Sequence, residues 1–163
     1  MEQKTHRATL EAWKASGAYF KHQGHSIFYK SAGQGEVLLL IHGFPTASWD
    51  WWKIWSTLTQ NYRVIALDMI GFGFSDKPRS YSYSILDQAD IHEELLNLLG
   101  INACHILAHD YGDTVTQELL ARFHAGKTAF TIQSVCLLNG GLFPETHQAR
   151  LIQKLLMSPI GFL

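Results

Sequence analysis

Four short runs of apolar residues constrain the fold of this chain more than any other feature. They are VLLLI at 37–41, YRVIALD at 62–68, CHILAH at 104–109 and IQSVCLLNG at 132–140. A strand with one face in water alternates apolar and polar residues, whereas a strand covered on both faces reads as a continuous apolar run. Segments with helical spacing separate the four runs. This alternation predicts one α/β domain over residues 1–163, with helices on both faces of a mostly parallel sheet.

Local signals place the helices and one hairpin. Gly24 lies between two alternating runs, which is typical of a β-hairpin. We predict a helix over SWDWWKIWSTLTQ with Ser48 as its N-cap, and a second over YSILDQADIHEELLNLLG from the cap Ser84 to the stop at Gly100. A third helix covers DTVTQELLARF and ends at Gly126. The apolar face of the second helix is predicted to hold Ile91, Leu95 and Leu98.

Composition narrows the classes of function. The 13 Lys and Arg residues are scattered and are matched by 14 Asp and Glu, for a net charge of -1, so there is no basic patch for nucleic acid. No histidine has partners at metal-ligand spacing, and the glycines of GFGFSD lack the nucleotide-binding pattern. We therefore expect neither a metal nor a cofactor.

The chain shows no sign of a membrane segment or a secretory leader. Its longest aliphatic run, VLLLI, is too short to cross a bilayer, and its first 20 residues lack the apolar core of a signal peptide. Cys104 and Cys136 both lie in apolar runs, which favours free, buried thiols in a reducing compartment. These features predict a cytoplasmic protein.

A carboxylate stands at the corner between the third apolar run and the helix that follows it. The stretch AHDYG places Asp110 there, with Ala108 and Gly112 two positions to either side. Small residues suit a corner where strand and helix approach closely, and a strained central residue projects its side chain above the sheet. The amino end of the following helix favours the ionised carboxylate. The alternative is an ordinary N-cap, for which Asp is also well suited.

The order strand, small-x-Asp-x-small and helix resembles the nucleophile elbow of the α/β-hydrolase fold. Four longer stretches, HGFPTASWDWWKIW, RVIALDMIGFGFSDKP, HDYGDTVTQELL and NGGLFPETH, extend the resemblance from about Trp13 to about Leu156. They resemble one branch of that superfamily, the mesoderm-specific transcript proteins and their bacterial relatives. This branch belongs with the epoxide hydrolases and haloalkane dehalogenases.

The resemblance implies a catalytic site. It makes Asp110 the nucleophile and assigns the oxyanion hole to the backbone amides of Phe44 and Tyr111. The neighbouring motif residues would shape the loops and the corner without doing chemistry: His42, Gly43, Pro45, Asp68, Ala108 and Gly112.

The implied reaction begins with attack by the carboxylate on a carbon electrophile, which forms an alkyl-enzyme ester. A histidine oriented by a second acid would then activate water. Tyr111 stands where many dehalogenases have a Trp that holds the departing halide, and HGFP resembles the epoxide-hydrolase loop. We therefore expect an epoxide-like, apolar small molecule as substrate. Asp113 replaces a second small residue, which leaves a dehalogenase-like activity and a non-catalytic binding module open. A serine esterase fits less well, because Ser48 and Ser75 lie in other loops.

The complete fold of such hydrolases continues through a helical cap to two further strands and the catalytic histidine. This chain reaches only the start of a cap, near 142–163. Where some relatives carry the acid it has the neutral Asn139, and Glu145 is a weak substitute. We therefore expect the N-terminal part of a longer hydrolase, inactive or incomplete by itself, in which IQSVCLLNG forms an apolar edge strand.

Overall fold

A computed structural model describes residues 10–140 of the chain. A six-stranded sheet forms the middle layer, and helices cover both of its faces. The strands are β1 (Ala18–His22), β2 (His25–Ala32), β3 (Val37–Ile41), β4 (Arg63–Leu67), β5 (Ala103–His109) and β6 (Thr131–Leu138). Residues 10–15 are helical, and a 3₁₀ turn at Ser48–Trp51 precedes α1 (Trp52–Leu58), α2 (Ile85–Leu98) and α3 (Tyr111–His124). The predicted alternation of strands and helices is confirmed.

The strands lie in the order β1-β2-β4-β3-β5-β6. β3 runs parallel to β4 and β5, and β5 runs parallel to β6, whereas β1 and β2 join the sheet antiparallel. β1 and β2 form the predicted hairpin, and its turn residues Gln23 and Gly24 have positive φ angles of 48° and 86°. Parallel strands direct their carboxyl ends to one edge of the sheet, so the loops after β3 and β4, the corner after β5 and residues 139–140 after β6 lie at that edge.

Strand β3 shows why an uninterrupted apolar run was needed. Leu39 and Ile41 belong to the core that includes residues of α2 and α3, while Leu38 and Leu40 belong to the opposite core, which contains Trp55 of α1. Successive side chains of a strand point to opposite faces, so covering both faces buries every position. Each fully buried Leu or Ile side chain contributes about 1.5–3 kcal/mol. Because both faces of β3 are covered, the burial of this strand is a main source of the stability of the fold.

Helix α2 begins and ends as the sequence predicts. Ser84 Oγ accepts a hydrogen bond from the amide of Asp87 at 3.1 Å, and Gly100 follows the helix with a φ of 66°. The prediction for its apolar face is wrong at one position, because Leu98 is 61% exposed. Leu99 packs against the core there instead. Leu98 therefore does not belong to the buried face of α2.

The segment before α1 differs from the prediction. The N-cap residue of its first turn is Ala47, without a side-chain cap bond, and Ser48 lies inside the 3₁₀ turn. The buried Ser48 hydroxyl accepts a hydrogen bond from Trp13 Nε1 at 3.3 Å, and the Ser48 amide donates to Asp68 Oδ1 at 2.8 Å. Long-range hydrogen bonds therefore replace the local cap.

Strand β6 is the outer strand of the sheet within the described part of the chain, next to β5. Both cysteines are free thiols: Cys104 in β5 is buried, as predicted, but Cys136 in β6 is exposed. The prediction of a buried thiol at position 136 is wrong. The outer position within the described sheet agrees with the expectation for IQSVCLLNG, but the apolar run alone does not show how much of such a strand is left uncovered.

A buried histidine joins the hairpin to α2. His22 Nδ1 lies 2.8 Å from Glu94 Oε2, and Nε2 lies 3.0 Å from Asp87 Oδ1. Burial by itself lowers the pKa of His22, but hydrogen bonds and charge from Glu94 and Asp87 outweigh it, so that the pKa is raised. The protonated ring can donate from both nitrogens, one to each carboxylate.

Folding stability is expected to fall as the pH rises through the pKa of folded His22. A group whose folded pKa lies above its unfolded value of 6.5 stabilises the protein fully below that value and loses its contribution as the folded form deprotonates. The buried His42 and His92, with pKa values lowered to about 4 by burial, stay neutral throughout this range. Urea unfolding between about pH 6.5 and about pH 9 measures the slope. The non-titrating variant His22→Gln should flatten it, and an unchanged slope in that variant would contradict the assignment.

Candidate active site

Asp110 occupies the corner between β5 and α3 in a backbone conformation that residues other than glycine rarely adopt. Its φ is 54° and its ψ is -119°, which costs on the order of 1–3 kcal/mol. β5 ends at His109 and α3 begins at Tyr111, so the chain reverses from strand to helix at this one residue. The strained corner directs the Asp110 side chain toward the loop after β3.

Two backbone amides hold one carboxylate oxygen of Asp110. Oδ1 accepts hydrogen bonds from the amide of Phe44 at 2.8 Å and from the amide of Tyr111 at 2.6 Å. These are the two amides that the family resemblance assigns to an oxyanion hole, and the structure brings both of them to the same oxygen. Within residues 10–140, no group donates a hydrogen bond to Oδ2. The carboxylate is thus fixed through one oxygen, and the other has no protein donor.

Close contacts explain the small residues around this corner. A Cβ on Gly112 would lie 2.6 Å and 2.7 Å from two backbone carbonyl oxygens at the end of β3. A Cβ on Gly43 would lie 2.7 Å from Asp110 Cβ, and Ala108 is fully buried. On one side of Asp110, the backbone at Gly112 packs directly against the backbone at the end of β3. On the other side, Gly43 of the loop after β3 packs against the Asp110 side chain.

His42 ties the loop after β3 to the loop after β4. Its buried ring donates from Nδ1 to the Gly43 carbonyl at 2.8 Å and accepts at Nε2 from the Met69 amide at 3.0 Å. Burial lowers the pKa of His42 to about 4, and a neutral ring with one donor and one acceptor fits both partners. The next peptide bond in the loop, Phe44–Pro45, is cis.

Asp68 fixes the glycine-rich loop after β4. Its Oδ1 accepts from the Ser48 amide at 2.8 Å and its Oδ2 from the Phe74 amide at 2.6 Å. A Cβ on Gly73 would lie 2.0 Å from Oδ2, so the loop can close around the carboxylate only with glycine there. The side chain is buried and makes architectural contacts.

A pocket of about 470 Å³ opens beside the corner. Phe44 and Tyr111, whose amides hold Asp110 Oδ1, both contribute to its wall, so the pocket adjoins that carboxylate. Four aromatic rings make the wall predominantly apolar, which favours an apolar ligand. The lining residues are Phe44, Gly71, Phe72, Tyr83, Gln88 and Tyr111.

Two polar residues of this pocket were not identified from the sequence. Tyr83 precedes α2, and its hydroxyl donates to the Pro78 carbonyl at 2.9 Å. Gln88 is buried and donates from Nε2 to the Ile70 carbonyl at 3.0 Å, which leaves Oε1 without a partner among residues 10–140. A polar residue on the apolar face of α2 was the signal that could have found Gln88.

His109 and Asp50 form a second polar pair near the corner, which the sequence reasoning also missed. His109 Nε2 lies 3.0 Å from Asp50 Oδ2, and about a quarter of each side chain, 26% and 28%, is exposed. The ring meets Trp51 edge-on at 5.1 Å between centroids, and the Gly43 amide approaches Nε2 at 3.3 Å. His109 therefore supports the loop that carries Gly43.

Asp113 lies in the first turn of α3 and is completely buried. Neither carboxyl oxygen has a hydrogen-bond partner in the described range, and burial, together with the charge of Asp110, raises the pKa of Asp113. A Cβ on Gly140 would lie 2.0 Å from Asp113 Oδ2. The carboxyl group thus fills space just after β6, next to Asn139 with its φ of 57°. Glu145 lies outside the described residues.

Two general features of residues 10–140 bear on the expected partners. In this range, no group of three or more His, Cys, Asp or Glu side chains is arranged to hold a metal ion. No helix there is long and apolar enough to cross a membrane. The expectations of no metal and no cofactor stay predictions.

Known proteins resemble this chain closely in sequence. The family model described as alpha/beta hydrolase fold matches residues 36–157. The mesoderm-specific transcript homolog protein of Bos taurus is 53% identical, over 93% of this chain and 49% of that protein. The putative hydrolase LipZ of Mycobacterium tuberculosis is 36% identical, over 94% of this chain and 53% of that protein. The chain thus spans about half the length of the curated relatives it matches.

Solved structures show the same fold. An alpha/beta hydrolase fold protein from Burkholderia ambifaria matches with a TM-score of 0.70 and 32% identity, over 83% of this chain and 47% of that one. The epoxide hydrolase CorEH matches with a TM-score of 0.68 and 25% identity, over 86% of this chain and 48% of that one. The family inferred from the sequence motifs is confirmed: the chain belongs to the α/β-hydrolase fold family.

Proposed function

We propose that this protein is a hydrolase whose Asp110 carboxylate attacks a carbon electrophile, in the manner of an epoxide hydrolase. The observation that carries the proposal is the fixed carboxylate. Oδ1 is bonded to the amides of Phe44 and Tyr111 at 2.8 Å and 2.6 Å, and Oδ2 has no donor within residues 10–140. Membership of the α/β-hydrolase fold family supports a hydrolase, and the likeness to CorEH favours the epoxide-hydrolase class.

The two carboxylate oxygens have different roles in this proposal. Because Oδ1 is held at two points, the plane of the Asp110 carboxylate and the direction of Oδ2 are fixed as well. Oδ2 attacks carbon, and its electron pair forms the ester bond. Fixing the nucleophile before the substrate arrives reduces the entropy that must be lost on the way to the transition state.

Hydrolysis of the ester uses the same two amides. When water adds to the ester carbon, negative charge develops on the oxygen that was Oδ1, and the amides of Phe44 and Tyr111 already point at it. One such donor contributes roughly 10²–10³ in rate in enzymes where it has been removed. The family resemblance assigns the general base to a histidine after the last strand of the complete fold, and this assignment remains part of the proposal.

The pocket indicates the class of substrate. Its wall is mostly aromatic, and the Phe44 ring, which is half exposed, stands at its border beside the oxyanion loop. An apolar, aryl-substituted or alkyl-substituted epoxide would bury its hydrocarbon part there and present a ring carbon to Oδ2. We expect charged substrates to bind poorly, because no ion pair is available to replace their hydration in the described wall of the pocket.

Styrene oxide is expected to modify the wild-type protein once, at Asp110. Intact mass spectrometry measures the addition of one reagent molecule, and peptide mapping locates it. The unreactive analogue 2-phenylethanol, present in excess, should slow the modification by occupying the pocket. No adduct, or adducts spread over several surface carboxylates, would refute the proposal, provided that cooperative urea unfolding shows the protein to be folded.

A further inference from the structure

The backbone amide of Gly43, one residue before Phe44, is held by a side chain. It donates a hydrogen bond to His109 Nε2 at 3.3 Å, and among residues 10–140 it has no other acceptor. Gly43 is buried, and a buried backbone N–H without a partner is strongly unfavourable. The position of this part of the loop after β3 therefore depends on His109.

His109 Nε2 also faces a group that requires the opposite role. Asp50 Oδ2 lies 3.0 Å from the same nitrogen, and a carboxylate can only accept a hydrogen bond. The Gly43 amide, in contrast, can only donate. A neutral ring with its proton on Nδ1 can accept from Gly43, whereas a protonated ring carries a hydrogen on both nitrogens and donates to Asp50. His109 Nε2 therefore cannot serve both partners at once.

Thr46 gives Asp50 a second donor, which leaves the neutral His109 ring free to bind Gly43. The Thr46 hydroxyl donates to Asp50 Oδ2, and the Asp50 side chain is partly exposed to water. The buried Gly43 amide has neither substitute in the described part of the chain. When His109 is protonated and binds Asp50, the Thr46 hydroxyl can turn to the Gly43 carbonyl, which lies 3.0 Å away.

We propose that His109 is a positioning residue for the loop after β3: its neutral ring holds the Gly43 amide, and its protonated ring releases that amide in favour of Asp50. The next amide in the chain, that of Phe44, donates to Asp110 Oδ1 at 2.8 Å. The packing is close, because a Cβ on Gly43 would lie 2.7 Å from Asp110 Cβ and 2.8 Å from His109 Cε1. Release at Gly43 would therefore loosen the Phe44 amide as well.

The inference goes beyond the proposed function, because it concerns hydrogen bonds that the protein makes before any substrate binds. If Asp110 is the nucleophile, the amides of Phe44 and Tyr111 would both be in place only while His109 is neutral. The bond at Gly43 can be measured without any chemical modification of Asp110. Failure of the positioning role and failure of the proposed reaction can therefore be distinguished.

Other titratable groups lie close to His109 and could add a pH dependence of their own. Burial lowers the pKa of His42 to about 4, so this ring stays neutral where ordinary histidines titrate. Burial raises the pKa of Asp113, and the charge of Asp110 acts in the same direction, while a charged His109 opposes it. A variant changed only at position 109 keeps these groups and Asp50, and so isolates the contribution of His109.

Hydrogen exchange of the Gly43 amide tests the inference in the wild-type protein. His42–Gly43 is the one His-Gly pair in the sequence, so ¹³C-carbonyl histidine combined with ¹⁵N-glycine selects the signal of this amide by NMR. We expect its protection factor to fall at least about tenfold between about pH 8 and about pH 5, the range in which histidines gain their charge. A protection factor that stays constant would overturn the inference.

The His109 ring itself provides a second measurement that needs no variant. Long-range ¹⁵N NMR spectra of the wild-type protein distinguish the two tautomers of a histidine ring. We expect neutral His109 to carry its proton on Nδ1, and to gain the second proton with the same midpoint as the change at Gly43. A neutral ring with its proton on Nε2, or a different midpoint, would contradict the positioning role.

The variant His109→Gln should remove the pH dependence and keep the bond. Its side-chain amide can accept from Gly43 and donate to Asp50 at the same time, and it does not titrate. We therefore expect high protection of Gly43 at both pH values. The matched control His105→Gln removes another histidine of β5 beside a carboxylate, Glu36 at 3.6 Å, and should keep the wild-type fall. A fall that persists in folded His109→Gln would assign the effect to another group.

Discussion

The variant Asp110→Asn is expected to lose modification by styrene oxide, with a rate at least about 10³-fold below that of the wild type. The amide has almost the same shape, and its oxygen can still accept hydrogen bonds from the amides of Phe44 and Tyr111. Its nitrogen, however, has no free electron pair with which to attack carbon. Intact mass spectrometry under the same conditions measures the loss.

The fold of this variant should survive, which makes the comparison informative. Asn tolerates positive φ better than most residues, so the corner at position 110, with its φ of 54°, can keep its shape. Loss of a negative charge at the amino end of α3 costs on the order of 1 kcal/mol. Urea unfolding checks this value. Modification that persists in a folded Asp110→Asn protein would mean that another side chain is the nucleophile.

Gly112→Ala is expected to destabilise the protein by about 3 kcal/mol. The new Cβ would lie 2.6 Å and 2.7 Å from two backbone carbonyl oxygens, so that either β3 or α3 must move. Backbone in the centre of a sheet cannot shift as a flexible side chain can. The same movement would displace the amides around Asp110, so modification by styrene oxide should slow as well. Urea unfolding and the labelling rate measure the two effects.

The variant Gly126→Ala is the control for Gly112→Ala. It separates the destabilisation caused by a steric clash from that caused by backbone strain. Nothing lies within 4 Å of a Cβ at Gly126, but its φ is 66°, so the substitution should cost about 1–2 kcal/mol through conformation alone. It is also remote from Asp110 in the chain, at the far end of α3, and should leave labelling intact. If Gly112→Ala proved no more destabilising than Gly126→Ala, the close approach of α3 to β3 would be contradicted.

The sheet could be predicted because its signal is local. Continuous apolar runs such as the one from Val37 to Ile41 arise from burial on both faces, and that is the arrangement found. Helix α2 could likewise be bounded by Ser84 and Gly100, since caps and stops depend on a few neighbouring residues. These interactions lie within one turn or one strand, where a sequence pattern is sufficient.

The errors arose where distant parts of the chain decide the outcome. Ser48 bonds to Trp13 and Asp68 instead of capping its own helix. Cys136 is exposed because β6 is the outer strand in the described part of the sheet. In each case the local pattern was read correctly as apolar or polar, but the neighbours that determine burial and bonding come from other elements.

In the candidate site, too, some features could be predicted from the sequence and others could not. The positions of Asp110 and the HGFP loop follow from motifs, but the contribution of Tyr83 and Gln88 to the pocket depends on how the loop before α2 folds over the sheet edge. The buried carboxyl of Asp113, pressed against Gly140, also needed the structure. Close packing such as that of Gly43 against Asp110 depends on exact distances, which a sequence does not contain. Its only sign in the sequence is a small residue at that position.

The resting Asp110 carboxylate already fills the cradle formed by the amides of Phe44 and Tyr111. Part of its charge is neutralised before any electrophile arrives, which makes it a milder attacking group than a solvated carboxylate of the same basicity. In the proposed ester, the carbonyl would be polarised by the same two contacts, which would strengthen as water adds. If Asp110 is the nucleophile, the cradle would therefore act mainly on the hydrolysis of the ester, where new negative charge develops on the oxygen that it holds.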